Sequence, residues 1–95
     1  MISSVKFVRA MKRKIAANRH KGHWRDCDFP YLFRRAKQEI GEVKTAIAKG
    51  KPPEEVLLES ADVANFMMMI ADNYAVDYAE RDAEKSYSLK DAGPR

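Results

Sequence analysis

Apolar residues recur along most of this chain at steps of three and four, the spacing of one face of an α-helix. The first such segment runs from Ser3 to about His20. Val5, Val8, Met11 (or Lys12) and Ile15 give it a thin apolar stripe with Phe7 beside it, and Lys and Arg fill the other faces. Ser3 or Ser4 is placed to cap its N-terminus. Asn18 to Pro30 reads as a loop, because Gly22 breaks the helix and Asp26, Asp28 and Pro30 carry turn chemistry. A second helix is predicted from about Tyr31 to Lys49, with Leu32, Ala36, Ile40, Val43 and Ile47 as its core stripe. Gly50 stops it and Lys51-Pro52-Pro53 turns the chain. A third helix is predicted from about Pro53 to Tyr78. Glu54 and Glu55 lie in its first turn, where the helix dipole favours negative charge. The short connection predicts antiparallel packing of the second and third helices. Beyond Asp77 the chain turns charged: Arg81 to Ser88 reads as a short further helix, and residues 89–95 as a tail that frays at Asp91 to Arg95.

The third segment changes the picture. Val63, Ala64, Phe66, Met67, Met68, Met69, Ile70 and Ala71 leave almost no polar face. A helix apolar all round is expected to be buried on all sides, and in a chain of 95 residues that calls for a partner subunit. The Met67–Met69 run reads as interface packing rather than a binding surface. Glu55, Glu59, Asp62, Asn65 and Asn73 interrupt the apolar run on one side. Taken together, the elements predict one all-α domain over residues 1–95, an antiparallel helical bundle completed by oligomerisation into a homodimer or homotetramer.

Composition narrows the class further. Hydrophobic residues make up 45% of the chain, which argues against wholesale disorder. No apolar run is long enough to span a bilayer, and the N-terminus has no signal-peptide core. The single cysteine, Cys27, excludes an internal disulfide. These features lead us to expect a cytoplasmic protein with no membrane partner. The net charge of +4 hides an asymmetry: eight Lys or Arg and no acid lie between Lys6 and Arg25, whereas eleven of the fourteen acids lie between Glu39 and Glu84. A basic arm beside an acidic core suits an anionic substrate that carries its own metal, such as a nucleotide.

The acids carry the candidate chemistry. Glu39 and Glu42 lie three apart on the second helix, and Glu59 and Asp62 three apart on the third, so each pair shares a face. Packed antiparallel, the two faces can converge. Four carboxylates cannot all stay charged at close range without a cation, and an all-oxygen site suits Mg2+ or Mn2+. Glu39 is expected at the edge of the core stripe and Glu42 one step further out. Gly41 between them is unfavourable within a helix, which a close helix approach or a crowded ligand would explain. The plainer reading is a salt-bridged helix pair, with Lys44 or Arg35 as partners.

Gln38-Glu39-Ile40-Gly41-Glu42, followed by Glu59-Ser60-Ala61-Asp62, resembles the signature of the MazG-like, all-α nucleoside triphosphate pyrophosphohydrolases. The resemblance extends over roughly Phe7 to Tyr78 and takes in the basic first helix, the Lys21-Gly22-His23-Trp24 loop and the stretch from Ala61 to Phe66. Gln38 departs from the pattern, since many members have a further Glu there. The resemblance implies Mg2+-dependent hydrolysis of a nucleoside or deoxynucleoside triphosphate to the monophosphate and pyrophosphate. Glu39, Glu42, Glu59 and Asp62 would be the metal ligands. One glutamate of the first pair, Glu39 in preference to Glu42, would be the general base on the attacking water. The resemblance also places Lys21 and Trp24 near the nucleotide.

Other residues are open to two readings. Lys21, His23, Trp24 and Arg25 combine cations with aromatic rings, a pairing that grips phosphate and stacks a base; equally, Trp24 can simply cover the core. Asn65 can contact the nucleotide, support a ligand carboxylate or bond between helices. Lys37, with Arg34 or Arg35, can reach phosphates or stand as solvated charge. His20, His23 and Cys27 match no familiar zinc spacing. Two rival classes stand beside the enzyme: a small nucleic-acid-binding module built on the basic first helix, which the acidic third helix disfavours, and a dimerisation module whose carboxylates pair with Arg.

Overall fold

The computed structural model describes residues 1–19 and 22–92, with side chains described through residue 85. The described residues form three α-helices and one short 3-10 turn, with no strand: α1 (Ser4–Ala17), the turn Trp24–Asp26, α2 (Phe29–Ala48) and α3 (Pro53–Ala92). The all-α expectation holds. Ser3 caps α1, its hydroxyl accepting from the Lys6 amide at 3.1 Å. Asp28 caps α2, its carboxylate accepting from the Tyr31 amide at 2.8 Å. This cap draws Phe29 and Pro30 into the first turn, so α2 begins two residues before the expected Tyr31; Pro is tolerated there because that N–H has no helical partner to lose. Gly50, at φ +65°, supplies the left-handed residue that ends α2.

α3 does not stop near Tyr78, and Arg81 to Ser88 is not a separate helix. No Gly or Pro occurs between Glu54 and Ala92, so nothing breaks the backbone ladder, and α3 runs as one element of 40 residues. At 1.5 Å per residue that is about 60 Å, which accounts for most of the molecule's 68 Å long axis. The expected tail therefore begins as helix, and residues 93–95 lie outside the described residues.

α3 is the spine. α1 and α2 both pack against it, and neither approaches the other's backbone. α1 runs in the same direction as α3, with Lys6 near Glu54 and Lys14 near Asp62. α2 returns antiparallel: Phe29 lies by Tyr74 and Asp77, Arg35 over the Phe66 ring, and Glu39 and Glu42 beside Glu59. Two seams result, with a groove between α1 and α2 floored by α3.

Both apolar stripes are covered in part as expected, at Met11 and Ile15 in α1 and at Leu32, Ala36 and Val43 in α2, but each is turned at other positions. In α1, Val5 and Val8 are exposed, while Ala10 is buried and Phe7 and Met11 pack against Leu57, Leu58 and Ala61. The inner face of α1 is thus Phe7, Ala10, Met11 and, one turn on, Lys14. In α2, Leu32 and Ala36 are buried as expected, but Ile40 and Ile47 are exposed and Glu39 and Ala46 take the inner positions. The apolar surface of α2 is wider than one helix can cover, and α3 seats on the edge that includes Glu39. Nor is α3 buried on all sides in a single chain, since Met67, Tyr74 and Tyr78 face outward. A side chain at Gly41 would meet nothing within 4 Å in the single chain, so neither of its own neighbouring helices accounts for that glycine.

Candidate metal centre

Helix spacing and antiparallel packing bring three carboxylates to one point. Glu39 and Glu42 leave α2 one turn apart, and Glu59 reaches them from α3. Each offers an oxygen lying within 4.8 Å of the other two. Glu39 is buried, at 6% exposure; Glu59 is half-buried and Glu42 exposed. The cluster therefore meets solvent chiefly through Glu42.

Few cations balance it. Arg35, one turn before Glu39 on α2, donates from Nη2 to Glu39 Oε1 at 3.1 Å and from Nη1 to Gln38. Its guanidinium also lies 5.3 Å from the centre of the Phe66 ring, which fixes its plane. The second oxygens of Glu39 and Glu59 are buried and have no hydrogen-bond partner. A buried anionic oxygen without a partner is costly, and the carboxyls respond. Glu39 is pushed up to about 7, first by burial, then by its contact with Glu42 and the charges of Glu42 and Asp62, with Arg35 opposing. Glu59 is raised by the same causes in the same order, with Lys14 opposing.

Asp62 is not part of the close trio. It flanks Glu59 one turn further along α3, and its Oδ2 lies 3.1 Å from Lys14 Nζ. The expected quartet is thus a trio with a fourth acid held by a lysine of α1. Of the plainer reading's partners, Arg35 is engaged; no ion pair of Lys44 occurs among the described residues. Lys14 went unnoticed in the sequence because the stripe drawn through Val5 and Val8 put it on an outer face. Taken from Phe7, Ala10 and Met11, it is the next position inward.

The remaining candidates sit elsewhere. Asn65 is buried, and its Nδ2 donates to the Met11 carbonyl at 2.9 Å, the helix-to-helix bond of its plainer reading; its Oδ1 has no partner. Lys37 is exposed on α2. Lys21 and His20 lie outside the described residues. Trp24 and Arg25 are fastened to α3 well beyond the trio. Trp24 Nε1 donates to Asp72 at 2.9 Å, with the His23 ring stacked on the indole, and Arg25 pairs with Asp77 at 2.6 Å and Glu80 at 3.7 Å. Asn73 holds the loop from beneath, donating to the carbonyls of Trp24 at 3.0 Å and Cys27 at 3.4 Å. Asp72 follows Glu59 by about 20 Å along the helix at 1.5 Å per residue, so within one chain these two residues do not join the trio.

Three carboxylates from two helices, two of them with a buried oxygen lacking a partner, form a cluster that could hold a metal ion. Compared with known proteins, the chain matches no family model, no curated protein and no solved structure. Among the described residues, no helix is long and apolar enough to cross a membrane.

Proposed function

We propose that the chain is a Mg2+-dependent (alternatively Mn2+-dependent) nucleotide pyrophosphohydrolase of the MazG-like kind, cleaving a nucleoside or deoxynucleoside triphosphate between its α- and β-phosphates. The observation that carries this reading is the convergence of Glu39, Glu42 and Glu59 with the second oxygens of Glu39 and Glu59 buried and unsatisfied. A divalent ion, when bound, would supply the charge that lets a polyphosphate approach so acidic a groove. Glu39 suits the general base. It is the buried member of the trio and would take the proton from the attacking water as that oxygen bonds the α-phosphorus and pyrophosphate leaves. Arg35 fixes the other face of Glu39 and keeps it in place.

Self-association and a cytoplasmic setting belong to the same proposal. Phe33, Ile40 and Ile47 recur at seven-residue spacing on the exposed side of α2, and Met67, Tyr74 and Tyr78 are exposed on α3. A second copy laid on these faces would complete a four-helix bundle.

The test is a panel of NTPs and dNTPs with Mg2+, scored for pyrophosphate against orthophosphate, on wild type and Glu59→Gln. Pyrophosphate from wild type, reduced about 100-fold or more in the variant, at a solution mass of at least twice 10.9 kDa, is the expected result. Orthophosphate as the first product contradicts the cleavage site, and turnover by a monomer contradicts the oligomer. The ion pairs Arg35–Glu39 and Lys14–Asp62 favour a second reading, a purely structural dimerisation module. It requires that calorimetry detect no Mg2+ or Mn2+ uptake. Exposed Arg9 and Lys12 on α1 keep a nucleic-acid-binding module as the alternative should DNA or RNA binding survive Glu59→Ala without turnover.

A further inference from the structure

Lys14 pairs with Asp62 beside the acid trio, whereas the other α1 cations paired to α3 among the described residues, Lys6 and Arg13, meet Glu54 at its start. Lys14 occupies the inner stripe of its helix, one turn after Ala10 and Met11, where an apolar residue would pack. Its ammonium lies 3.1 Å from Asp62 Oδ2, with both side chains largely covered, and it is close enough to Glu59 to act on that carboxylate too. Four acids face two cations here, Lys14 and Arg35, so the groove carries a formal deficit of two charges. Arg35 is anchored by Gln38, Glu39 and the Phe66 ring. Lys14 has Asp62 alone as its ion-pair partner, and its flexible stem lets the ammonium swing away.

We propose that Lys14 is a resident counter-ion that competes with the divalent cation for Asp62 and, once displaced, meets the phosphate oxygens of the substrate, so that cation uptake and polyphosphate binding are coupled. The inference rests on the metal-site reading above and adds a regulator to it. The chemistry follows from charge. Glu39, Glu42 and Glu59 would hold the divalent ion, and Asp62 and the Lys14 ammonium, one turn away across the groove, would then feel its charge with opposite sign. Without an anion at hand that displacement is unfavourable, because Lys14 loses the one ion-pair partner it has among the described residues while its stem stays largely covered. A polyphosphate removes the penalty by accepting the ammonium. The groove therefore holds a metal weakly when alone and tightly when a polyphosphate is present.

The test measures binding rather than turnover. Mn2+ affinity is determined by calorimetry for wild type, Lys14→Met, Lys14→Gln and Lys14→Arg, with and without inorganic tripolyphosphate, and far-UV circular dichroism confirms that each variant is folded. The expected result without tripolyphosphate is tighter Mn2+ binding in Lys14→Met and Lys14→Gln, by about tenfold, with Lys14→Arg close to wild type. Tripolyphosphate should tighten Mn2+ binding in wild type and much less in Lys14→Met. Uptake that appears only once Lys14 is removed also supports the proposal. Unchanged or weaker Mn2+ binding in both neutral variants, with wild type binding normally, overturns it and leaves the metal site standing. Absence of uptake in every protein overturns both.

Discussion

Two stretches of α3 handle buried polarity in opposite ways. Around Asp72 to Glu80, the loop before α2 meets the helix donor to acceptor: the Trp24 indole on Asp72, Arg25 on Asp77 and Glu80, and the Asn73 amide nitrogen on two loop carbonyls, with the neutral Asn73 Oδ1 as the one buried atom there lacking a partner among the described residues. Around Glu59 to Asp62, acids face acids, and buried oxygens of Glu39 and Glu59 find no donor. The same helix is fastened at one end and left in electrostatic debt at the other. Removing a partner from a matched network costs stability, whereas removing a charge from a mismatched cluster relieves it. Tension of the second kind persists where a ligand is to be met, which is why perturbed carboxyls collect at functional sites.

The contrast can be broken first at its matched end. Asn73→Ala deletes the donor beneath the loop and leaves the carbonyls of Trp24 and Cys27 without it, so urea unfolding should show a loss of about 2 kcal/mol, accompanied by a red shift of Trp24 fluorescence. An unchanged midpoint would mean that the loop is held by its ion pairs alone.

The mismatched end should respond to pH in a direction unusual for a carboxylate. The folded chain keeps a proton on Glu39 up to about 7, whereas the unfolded chain releases it near 4.5. Between those values the folded state binds more protons, so stability without metal should fall as pH rises through the window, by on the order of 1–2 kcal/mol. Mg2+ should reverse the trend, because a cation prefers the ionised cluster. Stability that rises steadily over the same range without metal would show the cluster to be balanced after all.

The smallest effect sharpens the boundary of the site. Gly41 sits between the two α2 acids with open space around its Cα. Gly41→Ala should therefore stabilise the isolated chain by about 0.5–1 kcal/mol, read as a rise in melting temperature. Destabilisation would place another body, such as a second copy, against that position.

The sequence made the three helices legible because caps and breakers are local: Ser3, Asp28, Gly50 and the Pro52-Pro53 turn each act within a few residues. Convergence of Glu39, Glu42 and Glu59 was legible from spacing together with a short connection. The exact faces were not. α2 has apolar residues on adjoining faces, and periodicity cannot say which edge α3 takes, so Ile40 was expected inside and Glu39 at the margin. The same ambiguity in α1 hid Lys14. The attachment of Trp24 and Arg25 to Asp72 and Asp77 joins residues far apart in the chain, and no local pattern encodes it. The length of α3 was obscured by its charged final stretch, which reads as a change of element although the backbone meets no obstacle.

Since the backbones of α1 and α2 each pack on α3 and not on one another among the described residues, the spacing between them is set through the central helix. A substitution that shifts one seam should therefore move one wall of the acid cluster without passing its effect directly to the other.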